Sequence, residues 1–195
     1  TTMLIHHILC SSGIDAGLAG NVGKSLALQV AREPHDVYVV ELSSFQLENM
    51  YDFKANVAVM LNITPDHLDR YDYDMQNYVN AKFRIIRNMT PTDSFIFWQD
   101  DPVIERQLER VATDARLMPF AESCEENTKA YVDAENELVI KAENSPLVMP
   151  RADLALNGLH NLFNAMAAGL SASILHVKNS DIRRALSDFE GVEHL

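Results

Sequence analysis

Val39-Val40-Glu41-Leu42-Ser43-Ser44-Phe45-Gln46-Leu47-Glu48 and Leu61-Asn62-Ile63-Thr64-Pro65-Asp66-His67-Leu68-Asp69-Arg70 are the stretches on which the reading of this chain turns. Each begins in, or just after, an apolar run with the texture of a parallel strand covered on both faces. Each then gives way to polar residues at the carboxyl end of that run. In open α/β sheets the crevice beyond the carboxyl ends of the strands is where ligands bind. A carboxylate and an imidazole delivered there by consecutive strands can meet over one metal ion or phosphate. Lys82 follows a short way downstream and completes the constellation.

Outward from these stretches the elements alternate. Residues 2–12 read as a helix stopped by Gly13, a good left-handed terminator. Residues 14–19 form a short extended piece, 24–32 a helix, 36–42 a strand and 44–50 a short helix. Residues 55–63 form a second, almost continuously apolar strand, 75–88 a helix, 94–98 a strand, 102–112 a helix and 116–120 a fourth strand. This rhythm predicts βαβ units and a mostly parallel sheet flanked by helices. After Phe120 the texture changes: residues 129–132 and 137–141 flank Asp133-Ala134-Glu135-Asn136 as a small antiparallel hairpin, with 147–150 as a further edge strand. Helices over 161–175 and 181–189 follow.

A length of 195 residues sets one domain or slightly more, and 47% hydrophobic residues suffice for a core. The net charge of −12 and pI near 4.9 argue against nucleic acid or an anionic membrane as partner, because both demand a basic surface. An acidic chain that binds phosphates needs Mg²⁺, backbone N–H groups or a few placed cations. Cys10 and Cys124 are spaced neither as a metal site nor as a disulfide framework, which suits a reducing cytoplasm. No stretch has the roughly 20 apolar residues of a membrane span.

Each candidate residue has a plain structural alternative. Glu41 is either a ligand for a metal or phosphate site or the solvated rim of the sheet. His67 sits among Asp66, Asp69 and Arg70, a setting equally expected of an exposed polar loop. Lys82 lies on the apolar stripe of Met75, Tyr78, Val79, Phe83 and Ile86. It is either a snorkelling lysine or a desolvated amine of lowered pKa that is neutral often enough to react with CO₂. The carbamate so formed is a carboxylate-like metal ligand. Gly20-Asn21-Val22-Gly23-Lys24-Ser25 looks like a phosphate loop, but the pattern requires glycine where Leu18 stands. Asn161 reads as the N-cap of its helix, with Asn164 one turn on.

Taken together, Ala19-Gly20-Asn21-Val22-Gly23, the Glu41–Glu48 stretch, Asn62 through Tyr71, Ala81-Lys82-Phe83-Arg84-Ile85 and Gly158-Leu159-His160-Asn161-Leu162-Phe163-Asn164-Ala165 resemble the central, ATP-binding domain of the Mur ligases. The resemblance runs over nearly the whole chain, and the Ser-Ser-Phe-Gln form points to the D-glutamate-adding member. It implies a P-loop-type α/β fold over residues 1–190, with 191–195 starting a linker to a further domain. It also implies ATP-dependent amide formation in the cytoplasmic phase of peptidoglycan synthesis. UDP-N-acetylmuramoyl-L-alanine, D-glutamate and ATP would be the substrates, with two Mg²⁺ ions. By the match, Glu41 would hold Mg²⁺ at the ATP phosphates. His67 and carbamylated Lys82 would hold the second ion, and these three are the catalytic candidates. Asn21, Ser43, Gln46 and His67 would line the path of the muramoyl substrate, and Asn161 and Asn164 the adenine side of ATP.

The chain departs from the family pattern at both ends. It starts inside the first helix, so the glycine-rich phosphate loop and its strand are expected before Thr1, and Leu195 stands after His194 where the family has an arginine. The N- and C-terminal domains that would grip UDP and D-glutamate also lie outside it. The segment alone is therefore expected not to catalyse ligation. A sibling Mur ligase, a folylpolyglutamate synthase-like ligase and a non-catalytic nucleotide-binding domain are the alternative readings.

Overall fold

The structure, a computed structural model, describes residues 1–141 and 145–191; the expected linker beyond Gly191 and the His194–Leu195 departure fall on residues 192–195, outside the described residues. In chain order the elements are α1 (Thr2–Ser11), β1 (Ala16–Gly20), α2 (Leu26–Arg32), β2 (Val37–Glu41), α3 (Ser44–Glu48), β3 (Val57–Met60), α4 (Met75–Phe83), β4 (Ser94–Trp98), α5 (Pro102–Leu108), β5 (Arg116–Ser123), β6 (Ala130–Val132), β7 (Glu137–Ile140), β8 (Leu147–Pro150), α6 (Leu159–Ile174) and α7 (Asn179–Asp188). They divide into two compact units, Thr1–Glu41 with Phe120–Leu195, and Leu42–Pro119.

In the first unit β1 and β2 pair in parallel, with Gly20 opposite Glu41. The later half of β5 pairs in parallel with β6, and β6, β7 and β8 then form the antiparallel meander that the turn-forming Asp133–Asn136 segment predicts. Helix α6 is buried along most of its length, through Leu162, Phe163, Met166, Leu170 and the alanines between them. Such all-round burial follows from a sequence that is apolar all round. A Cβ at Gly169 would come within 2.3 Å of Ile140 Cδ1, so glycine there lets α6 approach β7 without moving that side chain. Helix α1 buries Leu4, Ile5, Ile8 and Leu9, the one-sided spacing of an amphipathic helix.

The second unit has its own core, in which Phe95 and Phe97 of β4 meet Tyr78, Val79 and Phe83 of α4 and Ile104 of α5. Strands β3 and β4 pair in parallel from Val57–Ser94 to Met60–Phe97. The expected strand over 55–63 is shorter than its apolar run, because the chain leaves the ladder after Met60. The helix expected over 75–88 tightens at Arg84–Ile86 into a 3₁₀ turn. No helix among the described residues is long and apolar enough to cross a membrane.

Asp93, only 1% exposed, ties this unit together in front of β4. Lys54 Nζ reaches both of its oxygens at 2.9 and 2.8 Å, and Thr90 donates its N–H and its hydroxyl, each at 2.7 Å. Burial opposes ionisation, but these hydrogen bonds and the Lys54 charge outweigh it and hold the carboxyl at about 2. Because the folded pKa lies below the ordinary 3.8, the Asp93 contribution to stability is complete above that value and is lost as pH falls through about 2. Asp93→Asn is expected to lower the unfolding free energy by about 3 kcal/mol in urea denaturation at neutral pH, with the deficit shrinking in acid.

Candidate functional site

In the first unit the carboxyl ends of β1 and β2 are locked by main-chain contacts. Asn21 N–H donates to the Glu41 carbonyl at 3.0 Å, Gly20 N–H to Lys24 O at 3.3 Å and Lys24 N–H to Leu18 O at 3.1 Å. Gly20 has φ +98° and Gly23 φ +85°. A Cβ on Gly20 would lie 2.0 Å from the Glu41 carbonyl oxygen, so glycine is required there by both backbone angle and space. The N–H groups of Gly20, Asn21 and Lys24 are thus spent on main-chain carbonyls of the strands and of the turn itself. Lys24 Nζ pairs with Glu33 at 2.9 Å, and Ser25 caps α2. The resemblance to a phosphate loop is therefore one of sequence only.

Glu41, Val22 and Thr1, with Asn161 and Asn164 of α6, line a cleft of about 530 Å³ walled by Leu154, Leu156 and Phe189. Helix α6 is entered through Gly158 at φ +98°, so Asn161 is not its N-cap. Its amide instead donates to Asn157 O at 2.8 Å, and Asn164 accepts from the Thr1 hydroxyl. Glu190 adds a second carboxylate, and among the described residues no lysine, arginine or histidine lines the cleft. A polyanion entering this cleft meets carboxylates unless a cation accompanies it. The donors are carboxylate, amide and hydroxyl oxygens, the set preferred by a hard divalent cation such as Mg²⁺.

In the second unit Ser43 and Gln46 close a capping box at the start of α3: Ser43 N–H donates to Gln46 Oε1 at 2.8 Å and Gln46 N–H to Ser43 Oγ at 3.3 Å. The box occupies their oxygens and leaves the Gln46 amide nitrogen outside it. His67 is exposed, in the left-handed region at φ 47°, a conformation uncommon for a residue with a side chain. Its ring lies 5.3 Å from that of Phe45, which stacks on Tyr71 at 6.3 Å, and Tyr71 meets Tyr78 at 5.4 Å. Lys82 Nζ sits over the Tyr78 ring at 5.2 Å. One run of aromatic rings thus carries the imidazole at one end and the amine at the other. Arg70 fixes the same loop to α3 through Glu48 at 2.8 Å.

Lys82 is half-buried, and desolvation lowers its pKa, with the charge of Asp66 opposing. Asp66 also lies 3.5 Å from His67 Nε2. It belongs with the imidazole and the amine, although from sequence it reads only as part of a polar loop. Its place inside the Thr64–His67 motif was the available signal. Among the described residues no three His, Cys, Asp or Glu side chains cluster as a metal site. Glu41 and Asn21 belong to the first unit, and Ser43, Gln46, His67 and Lys82 to the second.

Helix-flanked parallel strands with ligand-capable side chains at their carboxyl ends define a ligand-binding α/β protein of the open-sheet class. Residues 1–172 match the Mur ligase middle domain, and the chain belongs to that family. It is 59% identical over 194 residues to the UDP-N-acetylmuramoylalanine–D-glutamate ligase of Bacteroides fragilis, a match spanning 100% of this chain and 43% of that protein. To the ligase of the same name from Porphyromonas gingivalis it is 56% identical over 195 residues, again 100% of this chain and 43% of the relative. The chain thus spans less than half the length of these relatives. Among solved structures, a UDP-N-acetylmuramoyl-L-alanyl-D-glutamate–2,6-diaminopimelate ligase superposes with a TM-score of 0.74 at 16% identity, over 99% of this chain and 44% of that one. A UDP-N-acetylmuramoylalanyl-D-glutamyl-2,6-diaminopimelate–D-alanyl-D-alanyl ligase from Acinetobacter baumannii gives 0.66 at 20%, over 97% and 43%. At such identities these structures share the fold.

Gly20→Ala is expected to destabilise the protein by clearly more than Gly13→Ala. Gly13 also has positive φ, but its added Cβ meets nothing within 4 Å, leaving only a backbone penalty of about 1–2 kcal/mol. Paired thermal or urea melts of the two variants measure the difference.

Proposed function

We propose that this chain is the ATP-binding middle domain of a ligase that joins D-glutamate to UDP-N-acetylmuramoyl-L-alanine in cytoplasmic peptidoglycan synthesis. The observation that carries the proposal is the 59% identity, along the whole chain, to a relative bearing that name. In the reaction a carboxylate oxygen of the muramoyl-alanine attacks the γ-phosphorus of ATP and ADP departs. The amine of D-glutamate then attacks the acyl phosphate carbon, phosphate leaves with the bonding electrons, and the amine loses a proton. The remainder of the polypeptide would grip UDP and D-glutamate.

Glu41 is assigned to the cation at the ATP phosphates, in keeping with its place in a cleft of oxygen donors. Asn161 and Asn164 on the same cleft are assigned to the nucleotide, and Asn21, Ser43, Gln46 and His67 to the path of the muramoyl substrate. His67 and Lys82, the latter as its carbamate, are assigned to a second cation. The burial that lowers the Lys82 pKa raises the share of neutral amine, the form that reacts with CO₂. When bound, the Mg²⁺ ions supply positive charge against the repulsion between substrate carboxylate and ATP. Asp66 faces Lys82 and favours its protonated form, so the two influences on the amine compete.

The full-length protein carrying this chain is expected to release phosphate from ATP only when UDP-N-acetylmuramoyl-L-alanine, D-glutamate and Mg²⁺ are all present. Turnover with a folate or a different UDP-muramoyl peptide in place of that substrate would refute the assignment. Lys82→Ala in the same protein is expected to abolish turnover, with partial recovery on adding short carboxylic acids that fill the carbamate position. Retained activity, or loss without recovery, would leave Lys82 a snorkelling residue.

A further inference from the structure

The loop that presents His67 is polar and exposed from Thr64 through His67, yet it holds the imidazole in a left-handed backbone conformation. Such a conformation persists only where the surroundings over-determine it. At its far end the loop is fixed by Arg70 on Glu48 and by Tyr71, buried among the rings of Phe45 and Tyr78. Its near end follows residues that have left the β3 ladder, where the backbone N–H of Ile63 needs a partner.

That partner is Asp101, a carboxylate only 4% exposed. Its Oδ2 accepts from Ile63 N–H at 3.0 Å. Its Oδ1 accepts from Val103 and Ile104 N–H at 2.9 and 3.0 Å, capping α5. Capping alone uses a single oxygen, and serine or asparagine serves that purpose about as well as aspartate. The second oxygen is committed across the fold to the root of the His67 loop. The bond has the ordinary N–H···O length, and burial of the acceptor fixes its direction. Ile63 is itself buried, so the clamp has a rigid point of attachment.

We propose that Asp101 is a positioning residue for the ligation reaction, acting through Ile63 to fix the loop that presents His67. This rests on the assignment of His67 to the reaction. A shift of the imidazole by a fraction of an ångström to an ångström is enough to impair a reaction that depends on aligned groups.

The test uses the full-length enzyme. Asp101→Asn keeps the shape and the cap but turns an NH₂ group toward either Ile63 or α5, and Asp101→Ser keeps a cap while falling short of Ile63. Both are expected to lower kcat by roughly tenfold or more, with KM for ATP little changed. Hydrogen–deuterium exchange in the peptide over residues 61–70 is expected to rise. In a His67→Ala background the same substitutions are expected to lower kcat no further, because residues that act as a unit are non-additive. A full additional loss in that background, or unchanged kcat beside an impaired His67→Ala, would overturn the role of Asp101 alone. An unimpaired His67→Ala would overturn the assignment of His67 and this inference with it. If Asp101→Asn folds poorly, Asp101→Ser carries the same double-variant comparison.

Discussion

A strand that leaves its ladder strands its own backbone groups, and this molecule is arranged around satisfying them. Every buried N–H and C=O must find a partner, so each exit from a parallel sheet is a place where something else has to supply one. At the end of β2 the Glu41 carbonyl takes the N–H of Asn21, and the approach is so close that Gly20 alone fits beside it. Beyond β3 the N–H of Ile63 is taken by the buried carboxylate of Asp101. In both places a main-chain bond fixes the backbone near a residue proposed for the site, Glu41 or His67.

Electrostatics sets the second constraint. A chain of net charge −12 can bind a nucleotide, as proposed, only by importing positive charge or concentrating the little it has. The cleft beside Glu41 sets two carboxylates and a few neutral oxygen donors in a largely apolar wall, a charge that opposes bare phosphate and suits the divalent cation proposed there. On the aromatic run that ends at His67, Lys82 is drawn inward, set over Tyr78 and partly stripped of water. Lys24, which looks like a phosphate-loop lysine on paper, is turned to Glu33 instead. The two lysines differ for a local cause: Lys24 has an acidic neighbour on the surface, while Lys82 has an apolar wall.

Several boundaries moved between sequence and structure for reasons that residues make plain. The apolar run 55–63 supports pairing only over Val57–Met60, opposite Ser94–Phe97, because pairing depends on the neighbouring strand and composition carries no record of it. Asn161 has the chemistry of an N-cap, but Gly158 at positive φ lets the chain turn into α6 earlier and puts that amide inside the first turn. Ser43 and Gln46 were singled out for a ligand, and they also form a capping box, a use that the Ser-x-x-Gln spacing spells out. Asp101 before Pro102 reads as an ordinary cap, and its second bond is invisible without coordinates.

By itself the sequence determined the order of helices and strands, the antiparallel addition around Asp133–Asn136, and the string of motifs that marks the family. All of these are properties of neighbours along the chain, where periodicity, glycine and capping chemistry act within a few residues. Only the tertiary structure decided that Asp66 stands by Lys82, that Phe45, Tyr71 and Tyr78 form the floor between imidazole and amine, and that Asp101 reaches Ile63. Those pairings join residues far apart in sequence. Their strength depends on burial and on distances of a few ångströms, and burial and distance exist only once the chain has folded.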